Sequence, residues 1–316
     1  MLPSLATILQ ARELLAPHLS TTRTVRARSL SRNDSPVHLK LETDLPTGSF
    51  KPRGAIYALA LNLSRRKIAE VIASSTGNHG AAVAYAAKLF GVPATIFLPS
   101  NPNPVKRDNI RNLGARIVET GSPDCAGAFR EALEYSQRPG VFFLDDATDP
   151  ELPAGPGTIG LEIVEHVPQV SAIYVPMGDT ALIRGLAAAA KQLLPGVKII
   201  GVQAERAPSY YLSWKKGTAI QTDTCDTCAD GLATRTPDAE NVRIIRELVD
   251  DVVLVSEEQM LSAIRHLYEK EGVLAEPAGA AATAAFLASP RQEGATVLLV
   301  SGRNISEEVR RQAEIP

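Results

Sequence analysis

Short apolar runs of strand length alternate with helix-period segments along nearly the whole chain, the pattern of a layered α/β protein. Residues 71–74 read as a buried strand, followed by a Gly/Asn turn and an Ala-rich helix over 79–90 with Gly91 as its stop. The pattern repeats as a strand at 94–98 bounded by Pro99, a helix at 105–113 stopped by Gly114, a strand at 116–119, a helix at 125–135 and a strand at 141–144. A second series follows: a helix at 158–166, a strand at 172–176, an Ala-rich helix at 182–194 and a strand at 198–203. Residues 205–240 are rich in Thr, Asp and Pro with only weak periodicity, before an amphipathic helix at 257–271, a buried helix at 278–287 and a last strand at 296–300. Short helices are expected at 1–16 and 306–313. The architecture this predicts is two parallel-sheet α/β lobes with a cleft between them.

Composition narrows the function. The 316 residues exceed one typical domain, and a formal net charge of -2 with interspersed signs gives neither a nucleic-acid footprint nor a membrane-surface patch. No apolar run approaches the ~20 residues of a membrane span, and the N-terminus lacks the basic and apolar regions of a signal peptide. The expected partner is a small molecule. Cys225 and Cys228 form a CxxC spacing, as in half a zinc site or a redox pair, but no second Cys or His pair lies nearby and the Thr/Asp surroundings favour a polar loop. With Cys125 the only other cysteine, a reducing, cytoplasmic setting is expected.

Three turns fall where open α/β sheets bind ligands, between a strand and a helix. In the first, Pro46 to Ala55, Ser49 reads as an N-cap that sets Lys51 in the first helical turn, with Pro52 tolerated there. The positive helix end favours a neutral amine, the form that condenses with an aldehyde, although taken alone Lys51 also fits an exposed surface lysine. The second turn, Ser74 to Gly80, presents backbone N–H groups suited to a carboxylate, and Asn78 offers a donor and an acceptor; simple capping is the bland alternative. The third, Pro176 to Leu182, has small residues that let backbone approach a phosphate, while the charge of Asp179 argues against one.

In order, these pieces resemble the serine/threonine dehydratase and serine racemase group of fold-type II pyridoxal-phosphate (PLP) enzymes, with the tryptophan synthase β-like fold. The resemblance runs from about Lys40 to Asn304. It takes in Lys40-Leu41-Glu42, Ser49-Phe50-Lys51, the Ser75–Gly80 loop and Ala154-Gly155-Pro156-Gly157-Thr158. It continues through Ala229-Asp230-Gly231-Leu232-Ala233, Glu276-Pro277-Ala278-Gly279-Ala280 and Ser301-Gly302-Arg303-Asn304.

By this resemblance, residues 1–45 and 148–316 would form the large PLP-binding domain, and 46–147, with a core of about 70–147, the small one. Lys51 would anchor the cofactor and later act as base at the substrate Cα. Phe50 and Asn78 would flank the pyridine ring, Asn78 at its 3-oxygen, with Glu276 near the ring edge and Ser301 at the ring nitrogen. Gly178, Asp179, Thr180, Ala181 and Leu182 would cradle the phosphate. Ser75, Thr76, Gly77, Asn78 and His79 would grip the substrate. A neutral partner at the ring nitrogen makes a weaker electron sink and favours prompt β-elimination. The implied activity is dehydration of a β-hydroxy-α-amino acid to a 2-oxo acid and ammonia, by a homodimer. Thr76 stands where the racemases carry a catalytic serine, so elimination ranks above racemisation; β-replacement and a non-catalytic PLP-binding role are the further alternatives.

The departures from the family pattern are local. Gly178-Asp179-Thr180-Ala181 replaces a run of four glycines, and Arg184 or Arg303 is expected to offset the added carboxylate, unless Arg184 is a solvated helix residue. Gln203 and Ser209 stand where some relatives place carboxylate ligands of a divalent cation, so no metal site is carried over, and a monovalent or divalent cation stays open. Pro156 replaces a glutamine near the expected substrate side chain, which makes phenylserine a candidate beside threonine and serine. Past Asn304 only the short helical tail is seen, as in the short, catabolic-type members.

Overall fold

The structure, a computed structural model, describes residues 2–32, 34–75, 77–100, 104–122, 125–290 and 293–316. The chain begins with α1 (Leu5–Leu15), capped by Ser4, followed by β1 (Thr24–Arg26) and β2 (Val37–Leu41). Next come α2 (Lys51–Arg65), β3 (Glu70–Ser74), α3 (Asn78–Phe90), β4 (Ala94–Leu98), α4 (Pro104–Asn112), β5 (Arg116–Glu119), α5 (Cys125–Tyr135) and β6 (Val141–Phe143). The chain continues through α6 (Ala154–His166), β7 (Val170–Pro176), α7 (Ala181–Leu193), β8 (Lys198–Ala204), α8 (Ser209–Lys216), α9 (Ala239–Leu248) and β9 (Asp251–Val255). It ends with α10 (Glu257–Glu271), α11 (Pro277–Ala288), β10 (Ala295–Val300) and α12 (Glu307–Gln312).

Two sheets result. β5-β4-β3-β6 is parallel throughout, and β1-β2-β10-β7-β8-β9 is parallel except for β1, which runs antiparallel to β2 at the edge. The central strand β10 is buried at every position, as a strand covered on both faces must be. Met260, Leu267 and Phe286 of α10 and α11 pack on one face of the larger sheet; Ile159, Ile183 and Ile245 of α6, α7 and α9 pack on the other. On the smaller sheet, α2 and α3 supply Ile56, Leu59 and Val83, and Ala132 of α5 joins Ile72 and Phe97 on the opposite side. Among the described residues no helix is long and apolar enough to cross a membrane.

Several elements differ from the sequence-based expectation. The 205–240 stretch, whose periodicity is weak, holds α8, whose Ser209, Tyr210 and Ser213 are buried. α9 follows it, capped by Asp238, and buries Val242, Ile245 and Leu248 on one face. α6 starts at Ala154, earlier than expected, because Pro153 and Pro156 fall at its open end, where a missing N–H costs no helical bond.

Where α2 meets the larger sheet, four charges are buried together. Arg53 reaches Glu42 (Nε–Oε2 2.7 Å) and Glu162 (Nη1–Oε1 2.6 Å), Lys40 also pairs with Glu162, and Lys40 Nζ donates to the Thr22 carbonyl at 2.8 Å. The Arg53 guanidinium also donates to Thr158 Oγ1 at 2.9 Å. The joint thus links β2, the first turn of α2 and α6, with equal numbers of each charge.

Candidate active site

Lys51 opens α2 from a segment stitched to the C-terminal end of β10. Phe50 N–H donates to the Ser301 carbonyl (3.0 Å), Arg303 N–H to the Gly48 carbonyl (2.9 Å), and Ser49 bridges Gly302 antiparallel. Ser49 is therefore one residue too early to be the N-cap that sequence reasoning made it. Phe50 holds the cap position without a side-chain bond, and the buried Ser49 Oγ has no partner among the described residues. The 301–303 strip is clamped from its other side, because Glu276 N–H donates to the Gly302 carbonyl at 3.0 Å. A Cβ on Gly279 would lie 2.2 Å from that same carbonyl oxygen, so only glycine allows the approach.

The Lys51 Nζ lies 5.1 Å from the centroid of the Phe50 ring and donates to Asp146 Oδ2. This carboxylate, 95 residues further along the chain, was not singled out in the sequence. The isolated-amine picture drawn from the helix end is therefore incomplete. Burial pushes the Asp146 carboxyl up, but Lys51, His79 and Arg184 together hold it below the usual carboxylate range. His79 is buried, its Nε2 donating to the Leu144 carbonyl at 2.9 Å and its Nδ1 3.6 Å from Asp146 Oδ1.

Asn78, the first residue of α3, bridges the lobes. Its Nδ2 donates to Glu276 Oε1 (2.7 Å), and its Oδ1 accepts from Asn304 Nδ2 (2.6 Å), which also donates to the Thr47 carbonyl (2.8 Å). The turn before it is tight: Gly77 N–H donates to Ser75 Oγ at 3.3 Å, and a Cβ on Gly80 would meet the Ser75 carbonyl at 2.5 Å. Thr76 lies outside the described residues. Ser301 is 5% exposed, and its hydroxyl has no hydrogen-bond partner among the described residues.

The 178–182 loop enters α7. A Cβ on Gly178 would stand 2.1 Å from the Gly231 carbonyl oxygen, so glycine is required there. Thr180 adopts φ 69°, a left-handed conformation that is strained for a β-branched residue. Ala181 and Leu182 turn their side chains into the core. Asp179 Oδ1 accepts from Thr234 Oγ1 at 2.9 Å. Arg184 is buried behind the loop, which overturns its reading as a solvated helix residue, whereas Arg303 is exposed and lies against Gly48 on the other strip.

Other sequence candidates have structural duties. Gln203 Oε1 accepts from Tyr211 N–H at 2.9 Å, and Ser209 Oγ donates to the Thr234 carbonyl at 2.5 Å. No group of three or more His, Cys, Asp or Glu among the described residues could hold a metal ion. None of the three cysteines forms a disulfide. Burial, with Glu257 beside it, pushes the Cys228 thiol up to about 12, which makes it a poor nucleophile.

The donor set fits a PLP-type cofactor: a half-buried amine at one end, a hydroxyl with an open hydrogen-bonding position at another, a polar bridge across the lobes, and a helix N-terminus beyond. Comparison with known proteins points the same way. The family described as "Pyridoxal-phosphate dependent enzyme" matches residues 15–302. The chain is 40% identical over 272 residues to an L-threonine ammonia-lyase of Geobacter sulfurreducens, covering 85% of this chain and 67% of that protein. The processed form of threonine deaminase isoform 2 from Solanum lycopersicum superposes with a TM-score of 0.90 at 29% identity, covering 98% of this chain and 91% of that one. Maize serine racemase does so with a TM-score of 0.92 at 28% identity, covering 99% and 97%.

Proposed function

The chain belongs to the family of pyridoxal-phosphate dependent enzymes, and on that premise we propose that it is a lyase that dehydrates a small β-hydroxy-α-amino acid to a 2-oxo acid and ammonia. Threonine is the leading substrate, in keeping with relatives named for threonine ammonia-lyase and threonine deaminase. Serine and phenylserine follow; Pro156, in the buried first turn of α6, is the reason for retaining the aromatic substrate. The observation that supports the reading is that hydrogen bonds join the segments carrying Lys51, Asn78, Glu276 and Ser301, through the 48–50/301–303 strip and the Asn78–Glu276 bridge.

Bound PLP supplies the electron sink that acidifies the substrate α-proton. In this reading Lys51 anchors the cofactor and, once released, takes that proton at its Nζ, with Asp146 as its hydrogen-bonding partner. Phe50 and Asn78 would hold the ring, with Glu276 beside it, and Ser301 would meet the ring nitrogen with a hydroxyl rather than a charge, which would favour elimination over longer-lived chemistry. Backbone N–H groups from Ser75 to His79 orient the substrate carboxylate, and Thr76 is the second proton-handling residue. Gly178 to Leu182 take the phosphate. Residues 1–45 and 148–316 are assigned to the cofactor-binding domain and 46–147 to the small domain. We assign the enzyme to the cytoplasm as a homodimer, a state that sedimentation of the purified protein tests.

A screen of threonine, serine and phenylserine for 2-oxo acid and ammonia tests the activity; no product from any of them overturns it. Lys51→Ala is expected to lose the visible absorbance of bound cofactor and essentially all turnover, and retained turnover removes Lys51 from its role. Chiral analysis of residual substrate in the same assays tests racemisation, the activity for which the maize structural neighbour is named.

A further inference from the structure

One turn into α7, Arg184 is 3% exposed. Its Nε donates to Thr180 Oγ1 at 3.1 Å and its Nη2 to the Ala147 carbonyl at 3.0 Å. Both acceptors are neutral, and no carboxylate among the described residues forms an ion pair with it. Tyr210, Asp146, Asp238 and Asp179 act on it electrostatically without contact, and burial pulls the guanidinium below its ordinary value despite them. Buried cations are ordinarily kept by a paired anion, so a guanidinium held this firmly by neutral oxygens is built for a charge supplied from outside the chain.

The place for that charge lies beside it. Thr180, which holds Nε, is itself a residue of the 178–182 loop and occupies its strained left-handed position. Ala147, which holds Nη2, directly follows Asp146, the partner of Lys51. We propose that Arg184 is the counter-charge of the cofactor phosphate, offsetting Asp179 in a loop that lacks the usual glycines. The proposal rests on the reading that this loop takes the phosphate. A dianion entering there meets two carboxylates, Asp146 and Asp179, and Lys51 is engaged by the cofactor's aldehyde end. The α7 N-terminus supplies a partial positive charge, and Arg184 the full one. Arg303 cannot substitute, because it lies exposed over Gly48 on the opposite strip.

The test compares PLP with pyridoxal, which keeps the aldehyde and lacks the phosphate, by absorbance titration of wild type and Arg184→Gln. The variant is expected to bind PLP about ten- to a hundredfold more weakly, as loss of a charged hydrogen-bonding partner implies, and pyridoxal with unchanged affinity. Without cofactor its thermal midpoint is expected to stay level or rise, because an unpaired buried cation has been removed. Adding Asp179→Asn to Arg184→Gln should restore part of the PLP affinity, since the charge that Arg184 offsets is then gone.

Parallel weakening of both compounds, or a lower midpoint with the preference for PLP intact, makes Arg184 a structural strut and overturns the proposal. Should Arg184→Gln fail to fold, Arg184→Lys carries the test: a retained PLP preference supports the charge role, and a lost preference with pyridoxal binding intact rejects charge as the basis. A wild-type protein that captures neither compound removes the functional reading as well. One that binds both equally well removes the phosphate assignment alone.

Discussion

Asp179 is the residue at which the site departs furthest from ordinary electrostatics. Burial first, then the neighbouring Asp146, push its carboxyl above the usual range, and Lys51 and the Thr234 hydroxyl oppose this only in part. A carboxyl whose native pKa exceeds its unfolded value costs stability wherever the unfolded chain is ionised, and that cost vanishes as pH falls to where both states are protonated. Asp179→Asn, which preserves the Thr234 hydrogen bond, is therefore expected to raise the thermal midpoint at pH 7 by about 2–3 °C, on the order of 1 kcal/mol. The gain should shrink as pH falls toward the ordinary value of 3.8. A midpoint at pH 7 that is unchanged or lower would count against a strained carboxyl here. Lys51 and Asn78 could be singled out in the sequence because each sits in a strand–loop–helix turn of recognisable chemistry, whereas Glu276, between two helices, and Ser301 were named only through the family resemblance. Asp146 and Thr234 were not, because they act only through contacts made 95 and 55 residues away in the chain.

At the scale of elements, the position of Lys51 depends on how closely α6 approaches the first turn of α2. A Cβ on Gly155 would lie 2.2 Å from the Arg53 carbonyl oxygen and 2.6 Å from Gly54 N, both backbone atoms that cannot swing aside. Gly155→Ala is expected to cost about 1–3 kcal/mol in chemical denaturation and to weaken cofactor capture, because the turn that moves carries Lys51. Gly91→Ala provides the contrast. Gly91 has φ 66° with nothing near its Cβ position, so that variant should lose about 1 kcal/mol and leave cofactor binding intact. Equal losses of binding in the two variants would sever the link between helix approach and Lys51. The elements from β3 to β6 could be read from sequence because buried parallel strands are short apolar runs closed by Gly or Pro. β2 could not: Lys40 interrupts it and looks like a solvent-facing position, yet it is 0% exposed and paired with Glu162. α9 was hidden by its charged face, and β9 was not read from the sequence.

Over the whole molecule, the larger sheet holds α2 at two places, the 48–50/301–303 strip and the buried group of Lys40, Glu42, Arg53 and Glu162. Burial pushes the Glu162 carboxyl up, but Arg53 and Lys40 outweigh it and hold it below its ordinary 4.5. The sign for stability is opposite to that of Asp179. A carboxyl depressed in the native state contributes fully above its unfolded value and loses that contribution as pH falls through the native one. Asp146, also depressed, adds in the same direction from 3.8 downward. The protein is therefore expected to lose stability on acidification below about pH 4.5, the ordinary glutamate range. Glu162→Gln should cost about 3–5 kcal/mol at pH 7, because it leaves two buried cations facing one carboxylate, and its stability should fall less steeply with acid. Denaturant unfolding of both proteins from pH 7 to pH 3 measures both effects. Parallel pH profiles would show that the acid sensitivity arises elsewhere. An unchanged midpoint at pH 7 would mean that the packing of α2 against α6 and α3, rather than the buried charges, holds the joint together.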